Sequence, residues 1–207
     1  MTSDDVWSDI LKKYVSELII LNQSINLTGT KTFEKAWDLH VRDSAAILQL
    51  KLPKPQINID LGSGNGFPGV FIAARYPNAR VVLVERVGKK AKAIRELAQA
   101  SDLSNVEVHD CDGRELLAKC PELKRNTDLI TARAVATLDK MIPICAPWLS
   151  KRGQMVFWKS QKLSPKELNE GRKIAAKNGF KSVEKVDYKI DEFRGGCFVI
   201  VRKYPPS

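Results

Sequence analysis

The sequence lacks closely spaced cysteines, long apolar runs and internal repeats. Its four cysteines are scattered over 207 residues without a Cys-x-x-Cys pair, which argues against a zinc site and against a disulfide framework. No apolar run reaches the length of a membrane span, and the first five residues are acidic rather than basic, unlike a signal peptide. We therefore expect reduced thiols, no metal, no membrane partner and a cytoplasmic location.

Positive charge, by contrast, is in excess. Thirty-four Lys and Arg residues against 24 Asp and Glu residues give a formal net charge of +10. Such an excess favours a polyanionic partner, of which nucleic acid is the obvious candidate. The length fits one α/β domain, or one domain with a small appendage, and is sufficient for a hydrophobic core.

Residues 57–69 predict a nucleotide-binding turn. A short apolar run over 57–61 indicates a buried strand, and residues 70–75 predict a helix. Between them lie four glycines, at positions 62, 64, 66 and 69. Glycine permits backbone angles that side chains forbid and allows close approach to a ligand, while the start of the following helix offers unpaired N–H groups.

Two ligands fit this turn. Gly64, Gly66 and Gly69 satisfy the dinucleotide fingerprint G-x-G-x-x-G. Asp60, followed by the glycines at 62, 64 and 66, satisfies D-x-G-x-G-x-G, the pattern of S-adenosylmethionine (SAM) methyltransferases. The glycines alone therefore leave both an NAD-dependent reductase and a SAM methyltransferase open.

The flanking sequence predicts an N-terminal helical extension and an alternating α/β domain. Amphipathic patterns over 5–22 and about 32–50 predict two helices, the second ended by Pro53 and Pro55. Residues 1–52 therefore supply no strand and should pack on the sheet or cover its ligand edge. Residues 53–207 form the predicted SAM-binding domain, one compact unit with the extension. Its predicted strands lie at 57–61, 81–85, 106–109, 128–131 and 155–158, and its helices at 70–75, 88–100, 113–119, 138–146 (interrupted by Pro143) and 165–177.

Near the end of the chain the alternation of strands and helices stops. Runs at 182–190 and 197–202 are extended, with no helix between them, and predict an antiparallel hairpin. Alternating strands and helices, followed by this hairpin, predict an α/β fold. It is a Rossmann-like, mostly parallel seven-stranded sheet with an antiparallel terminal strand. That ending is characteristic of class I SAM-dependent methyltransferases and unusual in dehydrogenases, which favours SAM.

Acidic residues at two strand ends predict contacts with the cofactor. Glu85 ends the second strand, where a carboxylate can bind the ribose diol of either candidate ligand. Asp60 lies at the end of the first strand, where it can order the glycine loop or meet the amino group of SAM.

The loop after the third strand should face the adenine. Asp110 or Asp112 could bind the adenine amino group, or backbone near Gly113 and Arg114 could do so. Alternatively, both aspartates only cap the following helix.

Five motifs follow one another in a characteristic order and spacing: Asn26-Leu27-Thr28, His40-x-x-Asp43-Ser44, the stretch from Asp60 to Gly69, Arg133-Ala134, and Lys159. Together they resemble the RsmG (GidB) family of bacterial methyltransferases over nearly the whole chain. The most specific part is Asp-Leu-Gly-Ser-Gly-x-Gly-Phe-Pro-Gly. Two departures are Ala132 in place of the family's usual Ser, and Ser160 in place of its usual Gly.

The resemblance implies a reaction and a partner. The family transfers a methyl group from SAM to N7 of a guanine in the 530 loop of 16S rRNA, so the implied partner is that rRNA within the 30S subunit or its assembly intermediate. The resemblance places SAM-binding positions at Gly62, Phe67, Gly113 and Arg114 (backbone) and at Arg133 (side chain). The full set of predicted cofactor-binding residues is Asp60, Gly62, Gly64, Gly66, Phe67, Glu85, Asp112, Gly113, Arg114 and Arg133.

Methylation at N7 requires little chemistry from the protein. The neutral base carries a lone pair and no proton at N7, so the enzyme supplies proximity rather than a general base. The sequence also lacks an Asn/Asp-Pro-Pro-Tyr/Phe motif for amino methylation and a Pro-Cys nucleophile. Arg133 and Lys159, after the fourth and fifth strands, are the predicted catalytic residues. Arg133 could hold the SAM carboxylate, guanine O6 or an RNA phosphate.

Several alternatives stay open. His40 and Asp43 lie one turn apart and could tie their helix to its neighbours or seat the N-terminal helices over the cofactor. The acceptor could be a small molecule, or the chain could be an RNA-binding assembly factor without activity. We expect a monomer.

Overall fold

A seven-stranded sheet forms the centre of the structure, a computed structural model that describes the backbone of residues 3–205 and the side chains of residues 6–205. The strands are β1 (Ile57–Leu61), β2 (Arg80–Glu85), β3 (Val106–Asp110), β4 (Thr127–Arg133), β5 (Leu149–Lys159), β6 (Ser182–Lys189) and β7 (Gly195–Arg202). Their order is β3-β2-β1-β4-β5-β7-β6. Strands β1 to β5 are parallel, and β7 runs antiparallel to both β5 and β6. The predicted fold is confirmed.

This strand order creates a crevice. The chain winds outward from β1 to β3 on one side and from β4 onward on the other, so the connections leaving β1 and β4 diverge. In open sheets of this type, ligands bind outside the carboxyl ends of the strands at this switch point.

Helices cover both faces of the sheet. They are α1 (Ser3–Ile25), α2 (Phe33–Ala36), a π-helical segment (Trp37–Arg42), α3 (Asp43–Ala45), a 3₁₀ turn (Ala46–Leu50), α4 (Gly69–Arg75), α5 (Gly88–Ala100), α6 (Leu116–Lys119), a second 3₁₀ turn (Pro121–Leu123), α7 (Leu138–Cys145) and α8 (Pro165–Lys177). Successive side chains of each buried strand point to opposite faces of the sheet, so the strands contribute to two apolar clusters, one on each face.

Several predicted boundaries differ from the structure. The predicted helix over 32–50 is helical along 33–50, but its winding changes from α to π to 3₁₀, and it ends at Lys51 with a φ of +48° instead of at the prolines. Helix α7 continues through Pro143. Strand β5 begins at Leu149, six residues before the predicted strand. Leu149 pairs with Thr127 of β4, and the register shifts before Leu129 pairs with Gln154.

The N-terminal helix packs directly behind the glycine turn. Leu11, Tyr14 and Leu18 of α1 are fully buried and share a core cluster with Phe67 and Phe71. The rings of Tyr14 and Phe67 meet edge to face, with centroids 5.6 Å apart. No helix within residues 3–205 has both the length and the apolar character needed to cross a lipid bilayer.

Candidate active site

The glycine turn after β1 is held in a left-handed backbone conformation. Gly62, Gly64 and Gly66 have φ values of +69°, +58° and +95°, which L side chains rarely adopt. The amides of Gly62 and Ser63 both donate to the carbonyl of Val84, at 2.8 and 3.1 Å, so the turn is tied to the end of β2. The loop is therefore built against the neighbouring strand.

Glu85 braces the turn from that strand. Its two carboxylate oxygens accept hydrogen bonds from the amides of Gly64, at 2.9 Å, and of Val87, at 2.8 Å. The residue is only 7% exposed. Each oxygen retains a second lone pair, so the nearly buried carboxylate of Glu85 can still accept hydrogen bonds from hydroxyl groups of a ligand.

A cavity of about 510 Å³ opens in front of Glu85 and the glycine turn, at the carboxyl ends of the parallel strands. Its volume lies within the range of about 300–1,000 Å³ typical of small-molecule sites. The predicted site residues that line it are Gly62, Gly64, Glu85, Asp112, Gly113, Arg114 and Arg133. Those that lie outside the lining are Asp60, Gly66, Phe67 and Lys159.

Part of the cavity wall lies outside the predicted cofactor-binding and catalytic residues. The further lining residues are Leu61, Val84, Arg86, Val87, Lys90, Cys111, Ala134, Val135, Ala136, Lys140, Met141 and Ile144. Met141 and Ile144 come from α7, where their helical spacing indicates only a buried face and not a ligand contact. The basic members Arg86, Lys90 and Lys140 follow strands or open helices at the ligand edge, which is the signal that could have identified them.

Asp60 lies behind the turn and not in the cavity. It is fully buried, and its carboxylate accepts a hydrogen bond of 2.7 Å from the hydroxyl of Thr131. Its backbone carbonyl accepts from the hydroxyl of Ser63, at 2.9 Å. Burial raises the pKa of Asp60 to about 6. Of its two predicted roles, this geometry matches the ordering of the glycine loop.

Arg133 links the cavity to the N-terminal helices. Its Nη1 donates to the carboxylate of Asp43, at 2.9 Å, and to the carbonyl of Leu39, at 3.1 Å. Its Nη2 lies 3.4 Å from Nδ1 of His40. The Arg133 side chain is 17% exposed and lines the cavity. Three groups from the helical stretch 33–50 therefore orient one guanidinium.

Asp43 is itself held in place. Its second carboxylate oxygen accepts from the hydroxyl of Tyr188, and its carbonyl accepts from Nε1 of Trp158 at 3.1 Å. His40 Nε2 lies 2.8 Å from the hydroxyl of Thr28, and the His40 ring stacks on Phe67 with centroids 5.8 Å apart. The motifs around Thr28, His40, Asp43, Phe67 and Arg133 thus meet in one cluster, which ties the N-terminal helices to the cavity.

His40 is a neutral member of this cluster. Burial, together with the nearby Arg133 cation, lowers the pKa of His40 to about 4. Because Arg133 can only donate, Nδ1 must accept, and we assign the proton to Nε2, which donates to Thr28. Protonation would place a second cation beside Arg133.

Because the His40 pKa is lowered in the folded protein, we expect the free energy of unfolding to decrease as the pH falls below 6.5. The unfolded chain binds a proton at His40 with a pKa near 6.5, whereas the folded chain resists it down to about 4, so stability is lost as the pH falls through that window. We expect the wild type to lose up to about 3 kcal/mol more than His40→Gln between pH 7 and pH 4. Urea unfolding at several pH values measures this difference. Parallel curves for the two proteins would contradict it.

Lys159, the second predicted catalytic residue, is engaged elsewhere. Its ammonium donates to the carbonyl of Ala136, at 2.7 Å, and to Oε1 of Glu167, at 2.8 Å. The same Glu167 oxygen accepts from the amide of Leu138, at 3.2 Å. Lys159 and Glu167 together fasten the loop between β4 and α7. That loop carries Val135, whose side chain packs so closely on Gly62 that a Cβ there would come within 2.6 Å of it.

Within the described side chains, no three His, Cys, Asp or Glu residues come together as metal ligands.

The sheet and its cavity at the switch point define a class I SAM-dependent methyltransferase fold. An O-methyltransferase from Bacillus cereus in complex with SAH is similar, with a TM-score of 0.67 at 14% identity over 92% of this chain and 90% of that one. Fibrillarin from Aeropyrum pernix, solved with bound SAM, has a TM-score of 0.60 at 15% identity over 77% and 76% of the two chains. At these identities the likeness concerns the fold alone.

The chain belongs to the GidB family, rRNA small subunit methyltransferase G, whose model matches residues 8–192. A ribosomal RNA small subunit methyltransferase G from Hyphomonas neptunium is 38% identical over 154 residues, which is 74% of this chain and 70% of the relative. Its namesake from Staphylococcus saprophyticus is 31% identical over 202 residues, or 93% and 83% of the two chains. The predicted family is confirmed.

Proposed function

We propose that this protein transfers the methyl group of SAM to N7 of a guanine in the 530 loop of 16S rRNA. The observation that carries the proposal is the cavity at the carboxyl edge, in which Glu85 and Arg133 stand on opposite sides of the glycine turn among further basic residues. Membership in the rRNA small subunit methyltransferase G family supports ribosomal RNA as the acceptor.

The lining residues fit SAM group by group. The free lone pairs of Glu85 suit the two ribose hydroxyls, and the left-handed turn at Gly62 and Gly64 lets the backbone approach the methionine moiety. The adenine would lie against the loop after β3, where Gly113 adjoins the side chain of Ile144. Arg133 would hold the SAM carboxylate. SAM supplies an electrophilic methyl group on a sulfonium; the protein's residues bind and orient it.

The ionisable groups in the cavity favour an acceptor that needs no general base. Among the described lining residues there is no histidine. Both oxygens of Glu85 accept backbone hydrogen bonds, and Asp112 accepts from the amide of Arg114, at 3.0 Å. Burial raises the pKa of the Cys111 thiol, which keeps it protonated. Guanine N7 has an available lone pair and suits such a site, because proximity and alignment are then sufficient.

The charge around the cavity favours a polyanionic acceptor over a small neutral one. The lining includes five basic side chains, Arg86, Lys90, Arg114, Arg133 and Lys140, against two acidic ones, Glu85 and Asp112. The remaining positive potential would attract the RNA backbone and increase the rate of association at low salt.

The test is methyl transfer from radiolabelled SAM to 30S subunits from a strain that lacks this enzyme, with protein-free 16S rRNA in parallel. Cleavage at 7-methylguanosine then maps the site. Label on one guanine of the 530 loop is the expected result. No transfer to either substrate or to total RNA would overturn the rRNA proposal. In that case SAM binding would indicate a small-molecule acceptor, and NADH binding would indicate a reductase.

Lys159→Met distinguishes a catalytic Lys159 from one that positions the loop. Methionine keeps the apolar stem but leaves Glu167 and the Ala136 carbonyl without their shared donor, so the loop over Gly62 should loosen. We expect the Kd for SAM to rise about tenfold, corresponding to about 1.4 kcal/mol, with kcat at saturating SAM within a few-fold of wild type. Calorimetric titration and steady-state kinetics measure both quantities. The matched control is Lys162→Met, an exposed lysine in the next loop. A normal Kd with lost turnover would instead make Lys159 catalytic.

A further inference from the structure

One aromatic side chain is almost entirely in water. Phe193, in the turn between β6 and β7, is 89% exposed, the highest value among the exposed large apolar residues of the described chain. A phenylalanine in this position gains almost no hydrophobic stabilisation from the fold. Its ring is free on both faces to contact another molecule.

The turn that carries Phe193 is braced rather than loose. The carboxylate of Asp191 accepts from the amides of Phe193, at 3.0 Å, and Arg194, at 2.9 Å. Arg194 also forms an ion pair of 2.9 Å with Asp38, and Arg42 donates to the carbonyl of Ile190 at 3.1 Å. The helical stretch 33–50 therefore fixes the backbone from which the ring projects.

The ring lies at the same edge of the sheet as the cavity. In the antiparallel pairing of β5 with β7, Cys197 lies opposite Lys159, the last residue of β5. The turn at 190–194 therefore extends beyond the carboxyl end of the parallel strands. The helical stretch that braces this turn through Arg42 also holds Arg133 through the adjacent Asp43. The helical stretch 33–50 thus contacts both the cavity residue Arg133 and the turn that carries Phe193.

We propose that Phe193 is a stacking platform for an unpaired base of the RNA substrate, outside the cavity that holds the target guanine. This inference rests on the proposed function. A planar aromatic face in water matches the way in which aromatic rings stack on the bases of single-stranded RNA. The chain as a whole has a formal net charge of +10, which favours a polyanion. The exposed Lys189 directly precedes the turn and suits a phosphate. Phe193 lies just beyond the part of the chain that the family model matches, which ends at 192.

Steady-state kinetics with 30S subunits or 16S rRNA, at saturating SAM, test the platform. Phe193→Leu keeps an apolar side chain but removes the ring, and we expect it to raise the KM for the RNA substrate by about fivefold to a hundredfold. Phe193→Trp should retain a normal KM because it retains a stacking face. All variants should keep the wild-type kcat, melting temperature and Kd for SAM. An unchanged KM in Phe193→Leu would overturn the proposal.

Tyr204→Leu provides the matched control. Tyr204 is a half-exposed aromatic that follows β7 at the opposite edge of the sheet. Its substitution should leave the KM unchanged. An equal rise in KM for both leucine variants would overturn the proposal, because a general loss of exposed aromatic surface would then explain the effect.

A second readout does not depend on methyl transfer. The fluorescence of Phe193→Trp minus that of wild type reports the new indole alone, and a single-stranded oligoribonucleotide with the 530-loop sequence should quench it. Quenching without any methyl transfer would overturn the proposed function and leave the platform standing. A raised KM on 30S subunits without quenching by free RNA would indicate contact with a ribosomal protein and overturn the nucleobase assignment.

Discussion

Arg133→Ala is expected to lower kcat/KM for methyl transfer by at least about a hundredfold, or about 2.7 kcal/mol of transition-state stabilisation. The substitution removes the cavity's guanidinium, which three acceptors of the helical stretch 33–50 orient. It also leaves the Asp43 carboxylate, 17% exposed, without its cation. We therefore expect unfolding to become easier by about 2 kcal/mol as well. Kinetics with 30S subunits and urea unfolding measure the two effects.

Two matched variants separate these effects. Arg133→Lys keeps the charge but not the planar fork, so it cannot satisfy Asp43 and Leu39 together with a ligand and should recover only part of the activity. Arg133→Met combined with Asp43→Asn removes the unpaired carboxylate and should regain stability without regaining turnover. If this double variant recovered activity, the loss in Arg133→Ala would be a folding defect and not the loss of a ligand contact.

Gly66→Ala is expected to have the largest effect on stability. Gly66 has a φ of +95°, and a Cβ there would overlap the Tyr14 hydroxyl and come within 2.8 Å of the Val70 side chain. Backbone strain of about 1–2 kcal/mol and overpacking of about 1–3 kcal/mol give an expected loss of about 2–5 kcal/mol. Urea unfolding measures the loss. SAM binding should fail at the same time, because the turn that carries Gly62 and Gly64 is displaced.

Gly64→Ala is the matched control for this prediction. Gly64 also has a positive φ, +58°, but the nearest atom to a Cβ there is the Gly62 carbonyl oxygen at 3.8 Å. Strain alone should cost about 1 kcal/mol. Equal losses for the two alanine variants would show that the contact with Tyr14 is unimportant.

Tyr14→Phe provides a further check on the same contact. The Tyr14 hydroxyl donates to the carbonyl of Asn65, at 3.0 Å and fully buried, so its removal alone should cost about 1–2 kcal/mol. In the Gly66→Ala background the same change also relieves the overlap, so the combined loss should be smaller than the sum. Additive losses would contradict the proposed overlap.

Local patterns in the sequence predicted much of the fold and several of the residues that line the cavity. The alternation of apolar runs and helical patterns, with the final hairpin, predicted the sheet and its antiparallel end. The glycine spacing predicted the left-handed turn. The acidic strand end predicted that Glu85 lies beside this turn, but not its hydrogen bond to the Gly64 amide. These features depend on a few neighbouring residues, and their periodicity and turn chemistry are visible in the chain itself.

Only the tertiary structure decided which side chains reach the cavity. Arg133 pairs with Asp43, 90 residues away, and Asp43 pairs with Tyr188, 145 residues away. The carbonyl of Leu39, a main-chain group, completes the site of Arg133. Lys159 and Asp60 sit at strand ends as predicted, yet one fastens a loop and the other lies buried behind the turn. Strand position brings a residue to the correct edge, but the packing of distant helices decides its partner and its burial, and no local pattern encodes that.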